Sequence, residues 1–457
     1  MLLTKNLQKF DFKNTESKTM SIFKLKENHS NVKTEFIAGL TTFLTMMYII
    51  PVNASIMSNA NMPIDALIAA TALITLIATA FNALYANTPI AMSVGMGMNA
   101  YFAFGVCVAL NLPWQSALGA VFVSGLIFLI LAFTNFRLWV IKSIPLDLRR
   151  AICAGIGAFI AFLGLQQMGV IVKNDATLVG LGDLKSAKVL FSLFSLVLIM
   201  FFWALKIKAA FILGILLSSF IAWIFNIDGA NFPKELFSLP NFSTDDGLGA
   251  IFLQLDIKAA LNLAMIPIIL TFFITQLFDS IGTITGVGAR GKIFESKDGE
   301  KKLGRTLISD ASASTLGGLI GTSTVTAFVE STAGVESGGR TGFTALVVAV
   351  CFGLCLFLLP LFKAIPSGAI YPVLVMVGIL MFMEVKNIDF KAPAIAVSSF
   401  FIIVMMPFSY SITTGFAFGF IAYTLMCLFM REFSKLNLGI ISISLISLMV
   451  FVLIFLR

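Results

Sequence analysis

The feature that most limits this chain is the length of its apolar runs. Stretches of roughly 18 or more largely apolar residues succeed one another along most of the sequence, enough for each to cross the hydrocarbon core of a bilayer as a helix. Composition agrees, with 58% of residues hydrophobic and 12% charged, against about 25% charged in an ordinary soluble domain. Too little polar surface exists to coat a water-soluble body. The sequence predicts an all-α polytopic membrane protein.

The runs lie near 36–57, 65–87, 89–108, 113–134, 147–172, 187–205 and 207–226. A more polar connection, 227–256, carries Asp228, Asp245, Asp246 and Asp256. Further runs follow near 257–289, 305–320, 322–338, 340–362, 367–385, 391–409 and 410–431. That gives about fourteen spans in two sets of seven. An apolar run at 438–456 is left over; it either spans, placing Arg457 outside, or packs along the membrane.

The net charge of +8 does not point to nucleic acid. Its cations gather in short connections and form no stripe with interleaved aromatics. They are Arg137/Lys142/Arg149/Arg150, Lys206/Lys208, Arg290/Lys292/Lys297/Lys301/Lys302/Arg305, Lys386/Lys391 and Arg431/Lys435. With the N-terminus inside, all of these fall on the cytoplasmic side, where short loops concentrate Lys and Arg. The arm 1–35 has no apolar signal core, so it is expected to stay in the cytoplasm; residues 1–19 look dispensable and Met20 is an alternative start. Cys107, Cys153, Cys351, Cys355 and Cys427 lie in or beside apolar runs and read as small buried hydrophobes. The one histidine, His29, lies in the arm, which leaves no histidine for a proton relay at membrane depth. No metal or cofactor is expected.

The two halves resemble each other weakly. "GLTTFLTMMYIIP" (39–51) matches "IILTFFITQLFDSIG" (268–282), and "SVGMGMNAYFAFG" (93–105) matches "TSTVTAFVESTAG" (322–334). An odd number of spans per half turns the second repeat over, giving an inverted repeat whose site lies near the midplane at interrupted helices. Gly95, Gly97 and Gly105 in one segment, with Gly321 and Gly334 in the other, mark the third and tenth spans as broken.

Glu330 sits on one break, where a carboxylate costs roughly 2.5–3.5 kcal/mol on insertion scales and so usually faces a cavity and functions. Asp279 lies deep in the eighth run and shares a helical face with Gln276 and Thr283. Asp310 is a third carboxylate, nearer a basic loop and equally readable as structural. Asn99 and Tyr101 flank Gly97. Two carboxylates with one or two carboxamides suit a flat, uncharged heterocycle bearing several donors and acceptors. Asp279, Glu330 and Asp310 are the proton-coupling candidates. Weak signals are set aside: "GVGARG" (286–291) follows a helical run and not a strand, and "NAS" (53–55) and "NFS" (241–243) match a glycosylation pattern by chance.

At these residues the chain resembles a known family. "EFIAGLTTFLTMMYIIPVN", "GMGMNAYFAF", "GIGAFIAFLGLQQMGVI", "LFDSIGT", "GTSTVTAFVESTAGVESGGRTG" and "MPFSYSITTGFAFGFI" are similar to the azaguanine-like purine permeases, a branch of the nucleobase–ascorbate (nucleobase–cation symporter 2) transporters. The likeness runs from about residue 32 to 431. It implies a seven-plus-seven inverted repeat with a core domain (36–134 and 257–362) moving against a gate domain (135–226 and 363–431). Residues 227–256 then form an external connection and 432–457 a C-terminal apolar segment. It also implies proton-coupled uptake of hypoxanthine, guanine or adenine at the cytoplasmic membrane, and family members can dimerise through gate helices. By position, Asn99 and the backbone at Gly97 match the third-span contacts, and Glu330 the purine-binding glutamate of the tenth span. Asp279 matches the second acid of the eighth-span pattern D-x-x-D, and Gln276 replaces the first. A glutamine donates and accepts at once, as in its pairing with the N6/N7 edge of adenine, so the replacement predicts a shift from guanine towards adenine or hypoxanthine. Alternatives are an anion transporter or channel of the same architecture, a membrane-embedded enzyme using the three carboxylates, and a transport-inactive paralogue; no nucleophile constellation supports the enzyme.

Overall fold

The structure is a computed structural model describing residues 22–134, 143–245, 247–295 and 298–455. The arm 1–21 with Met1 and Met20, and Arg137, Lys142, Asp246, Lys297 and Arg457, lie outside the described residues. Among the described residues, eight helical segments are long and apolar enough to cross a membrane, and five shorter apolar helices accompany them. Burial is distributed as a bilayer demands. Phe133, Phe225 and Phe429 are exposed, whereas Asn53, Thr75, Asn82 and Asp310 are fully enclosed. Polar groups in hydrocarbon must find partners, so they turn inward.

Helices α1 (Val32–Met46) and α2 (Ile49–Met57) form the first run. The interruption at Met47–Tyr48 lies four residues before Pro51, which has no N–H to offer the Met47 carbonyl. The Asn31 side chain caps α1 by accepting from Thr34 N at 2.9 Å. Helix α3 (Ile64–Tyr85) leads to strand β1 (Met92–Val94), then α4 (Met96–Ala100), which continues as a π-helix over Tyr101–Val108. Next come α5 (Trp114–Ala132), α6 (Leu146–Gln167), strands β2 (Ile171–Asn174) and β3 (Leu178–Leu181), α7 (Ala187–Ala204) and α8 (Ala210–Phe225). Helices α3, α5 and α6 each start behind a proline (Pro63, Pro113 and Pro145), a residue that cannot extend a helix backwards.

The second half opens with α9 (Ile257–Ala260) and the long α10 (Ile266–Gly291). It continues through α11 (Gly299–Ile320), strand β4 (Val325–Ala327), α12 (Ser331–Glu336), α13 (Gly342–Cys355) and α14 (Leu359–Lys363). Helices α15 (Ser367–Phe382), α16 (Pro393–Phe408), α17 (Ile412–Phe429) and α18 (Leu438–Phe455) close the chain.

Two groups of helices pack most extensively. In one, α3, α5, α11, α13 and α1 lie together; in the other, α6, α7, α15, α16 and α17 do, with α18 laid on α17. Small residues permit the closest approaches. A Cβ on Gly157 of α6 would stand 2.6 Å from the Gly378 carbonyl of α15, and one on Gly125 of α5 would stand 2.8 Å from the backbone of Thr315. The leftover apolar run is the helix α18, fastened to α17 by Thr424 and Ser444 at 2.7 Å.

Three details differ from the all-helical expectation. The fifth run does not continue to residue 172: α6 stops at Gln167, Gly169 turns the chain at φ 77°, and Ile171–Asn174 pairs with Leu178–Leu181 as a hairpin. The eighth run is broken near residue 261 before α10 begins. The third and tenth runs contain extended strands as well as short helices, and those strands pair with each other.

Candidate functional site

Strands β1 and β4 run antiparallel, with Met92 opposite Ala327, Ser93 opposite Thr326 and Val94 opposite Val325. Gly95 N donates to Thr324 O at 3.0 Å and Phe328 N to Ala91 O at 2.9 Å, extending the ladder at both ends. A two-stranded sheet has two unpaired edges, and at membrane depth each orphaned N–H or C=O is expensive. Side chains satisfy them here. On the β1 edge, Thr79 Oγ1 donates to Met92 O at 2.9 Å and accepts from Met92 N at 3.0 Å, and Asn82 Nδ2 donates to Ile90 O at 2.7 Å. Thr75 meets the Ser93 hydroxyl at 2.6 Å. On the β4 edge, Gln276 Nε2 donates to Val325 O at 3.0 Å, and Ala327 N donates to Asp310 Oδ1 at 2.7 Å. The hydroxyl of Ser280 also donates to Asp310. The polar residues that look anomalous in apolar helices are thus the sheet's missing neighbours.

This geometry separates the sequence candidates. Asp310 is fully buried and both its oxygens hold protein donors, so here it braces β4. Gln276 is 1% exposed; its Oε1 accepts from Ser314 Oγ at 2.5 Å while its Nε2 holds Val325. Asn99 is fully buried, donating to Asn53 Oδ1 at 2.5 Å and accepting from the Ser323 hydroxyl. A ligand meets either amide directly only if those bonds first break. Asn53, inside the apparent glycosylation triplet, also donates to Thr71 at 2.7 Å and is a buried linker.

Glu330 and Asp279 differ from these. Both are only partly buried, unlike the enclosed Asp310. Glu330 stands at the N-cap position of α12, immediately beyond β4. The Tyr48 hydroxyl, from the α1–α2 interruption, donates to its Oε1 at 2.5 Å. Gly97, in the first turn of α4, is likewise partly open, and a Cβ there would stand 2.8 Å from Ile156 Cγ2 of α6. Tyr101 Oη meets Thr413 Oγ1 of α17 at 3.0 Å.

Sequence reasoning missed Tyr48, Asn53 and the ladder of Thr71, Thr75, Thr79 and Asn82. The ladder carried a readable signal, since polar residues spaced by three or four on one face of an apolar helix must share an internal partner. Tyr48 carried none, because one tyrosine in a membrane helix is as readily an interfacial anchor.

Residues 33–418 match the xanthine/uracil permease model, described as a permease family. The chain belongs to that family. It is 38% identical to the adenine permease AdeP of Escherichia coli (strain K12), over 89% of each chain. It is also 38% identical to the guanine/hypoxanthine permease PbuO of Bacillus subtilis (strain 168), over 88% of this chain and 93% of that one. These similarities agree with the azaguanine-like purine permease branch. Family and relatives are permeases and not enzymes, and with the apolar helices they make this a multi-pass membrane protein. In fold, it is similar to the transmembrane domain of the cyanobacterial bicarbonate transporter BicA, with TM-score 0.61 at 16% identity over 83% of this chain and 96% of that one.

Proposed function

We propose that the protein is a secondary active transporter that takes up purine nucleobases across the cytoplasmic membrane, coupled to protons and working by alternating access. The observation that carries this reading is the pair Asp279 and Glu330, two partly accessible carboxyl groups deep in an apolar body and beside the paired strands. A carboxylate accepts from adjacent N–H groups, as a purine edge presents them. The names of the relatives, adenine and guanine/hypoxanthine permeases, favour the same class. An anion carrier of this fold would want a cation at the site, whereas acids stand here.

The reading includes about fourteen spans in an inverted repeat with a cytoplasmic N-terminus. The pairing of a strand from each half, and the two packing groups, support a core that moves against a gate. Asymmetry along α10 supports alternating access. Near its start, which this topology puts outside, Thr271 meets Thr413 of α17 at 2.5 Å, with Tyr101 joining them. Past Asp279, Gly282 and Gly286 have no atom within 4 Å of where a Cβ would stand. On this reading the Thr271–Thr413 contact closes the outer end, and the open space beside Gly282 and Gly286 belongs to an inward path. Asp279 and Glu330 carry substrate and proton, the backbone at Gly97 closes the site, and Gln276, Asn99 and Asp310 set its shape from behind.

Uptake of labelled adenine, hypoxanthine, guanine, xanthine and uracil by cells lacking their own nucleobase carriers tests this. The expected result is uptake of one or more purines that a protonophore abolishes. No uptake of any base by inserted protein would refute the reading.

A further inference from the structure

Tyr48 lies inside the stretch EFIAGLTTFLTMMYIIPVN but is not among the candidate site residues, yet it occupies a distinctive place. It lies where Pro51 breaks the first run, so its backbone is set by a local rule and not by the site. The side chain is fully buried, and its hydroxyl donates to Glu330 Oε1 across 282 residues of sequence. Among the described residues it is the one side chain that donates to this carboxyl group. The ring stands edge-on to Phe211 of α8, centroids 5.2 Å apart at 84°. Tyr48 therefore touches the site through its oxygen and, through its ring, α8, which packs on α7 of the second group.

We propose that Tyr48 is a substrate-positioning residue: its hydroxyl holds one oxygen of Glu330, fixing the carboxyl plane and leaving the second oxygen for a substrate N–H. This rests on the purine-transport reading. A glutamate has three rotatable side-chain bonds and loses rotamer entropy when a ligand fixes it. A donor that already orients one oxygen removes part of that loss before the substrate arrives, which tightens binding by preorganisation. It also makes the site selective, because the remaining oxygen presents a directed acceptor.

The test is a pair of kinetic comparisons on full-length protein in cells, with membrane abundance measured alongside. Tyr48→Phe keeps the ring against Phe211 and removes only the donor. The expected result is a roughly ten-fold rise in KM for the transported purine with maximal velocity within about two-fold of wild type, in line with the loss of a hydrogen bond to a charged group. Placed on Glu330→Gln, the same change is expected to add little, because the oxygen it oriented has been altered. A packing role would instead lower velocity or abundance and would combine multiplicatively with Glu330→Gln. An unchanged KM in Tyr48→Phe, or independent effects in the double variant, would overturn the proposal. Should Tyr48→Phe not accumulate, Tyr48→His, whose ring retains an N–H donor, is compared with Tyr48→Leu; equal KM values for the two would also overturn it. Wild-type protein that moves no purine would sink the transport reading, whereas wild-type transport without a Tyr48 effect would sink this inference alone.

Discussion

At the scale of single residues, burial separates the enclosed, bracing carboxyl of Asp310 from the partly accessible ones of Glu330 and Asp279. Asp310 satisfies the Ala327 N–H and the Ser280 hydroxyl in an enclosed site. Removing it leaves a buried donor unmet, which costs about 1–3 kcal/mol. Asp310→Ala is therefore expected to lower the melting temperature of the detergent-solubilised protein even without substrate. Asp310→Asn, which keeps an acceptor, should retain most of it. Glu330→Gln should behave oppositely, with near-normal stability and at least a ten-fold loss of transport. Equal stability of Asp310→Ala and wild type would contradict the bracing role. Glu330 and Asp279 were legible in the sequence because a carboxyl group amid apolar residues is costly unless used. The bracing bonds of Gln276 and Asn99 were not, since their partners lie 49 and 46 residues away and depend on the strand pairing.

At the scale of elements, the two interrupted segments were legible from their glycines and their matching positions in the halves. Their extended strands were not. Three residues in each are too few for a period to show, and β1 becomes a strand only because β4 lies beside it. The hairpin after α6 was hidden for a related reason, since Ile171 and Val172 prolong the apolar run. Because Thr79 and Asn82 stand in for a missing strand, Thr79→Val and Asn82→Leu should each destabilise the protein by about 1–3 kcal/mol despite making α3 more apolar. Thermal unfolding of the purified variants checks this; a rise in melting temperature would show that the sheet edge needs no partner.

At the scale of the whole molecule, membrane class followed from composition and run length, while the grouping of helices required three dimensions. The contact of Thr271 with Thr413 predicts that a Thr271→Cys/Thr413→Cys pair, once oxidised, holds the outer side shut. Transport should fall to background on oxidation and return on reduction, while a cysteine at Gly286 stays open to a membrane-impermeant thiol reagent applied from the cytoplasmic side. Full transport by the cross-linked protein would exclude movement at that contact. The most direct test of the account is counterflow in proteoliposomes containing the purified protein preloaded with unlabelled purine, followed for external labelled adenine and hypoxanthine. The account predicts accumulation of label by wild type, loss of it in Glu330→Ala and in Asp279→Ala, and little loss in a lipid-facing variant such as Phe429→Leu. Accumulation that survives Glu330→Ala unchanged would place the substrate elsewhere and contradict it.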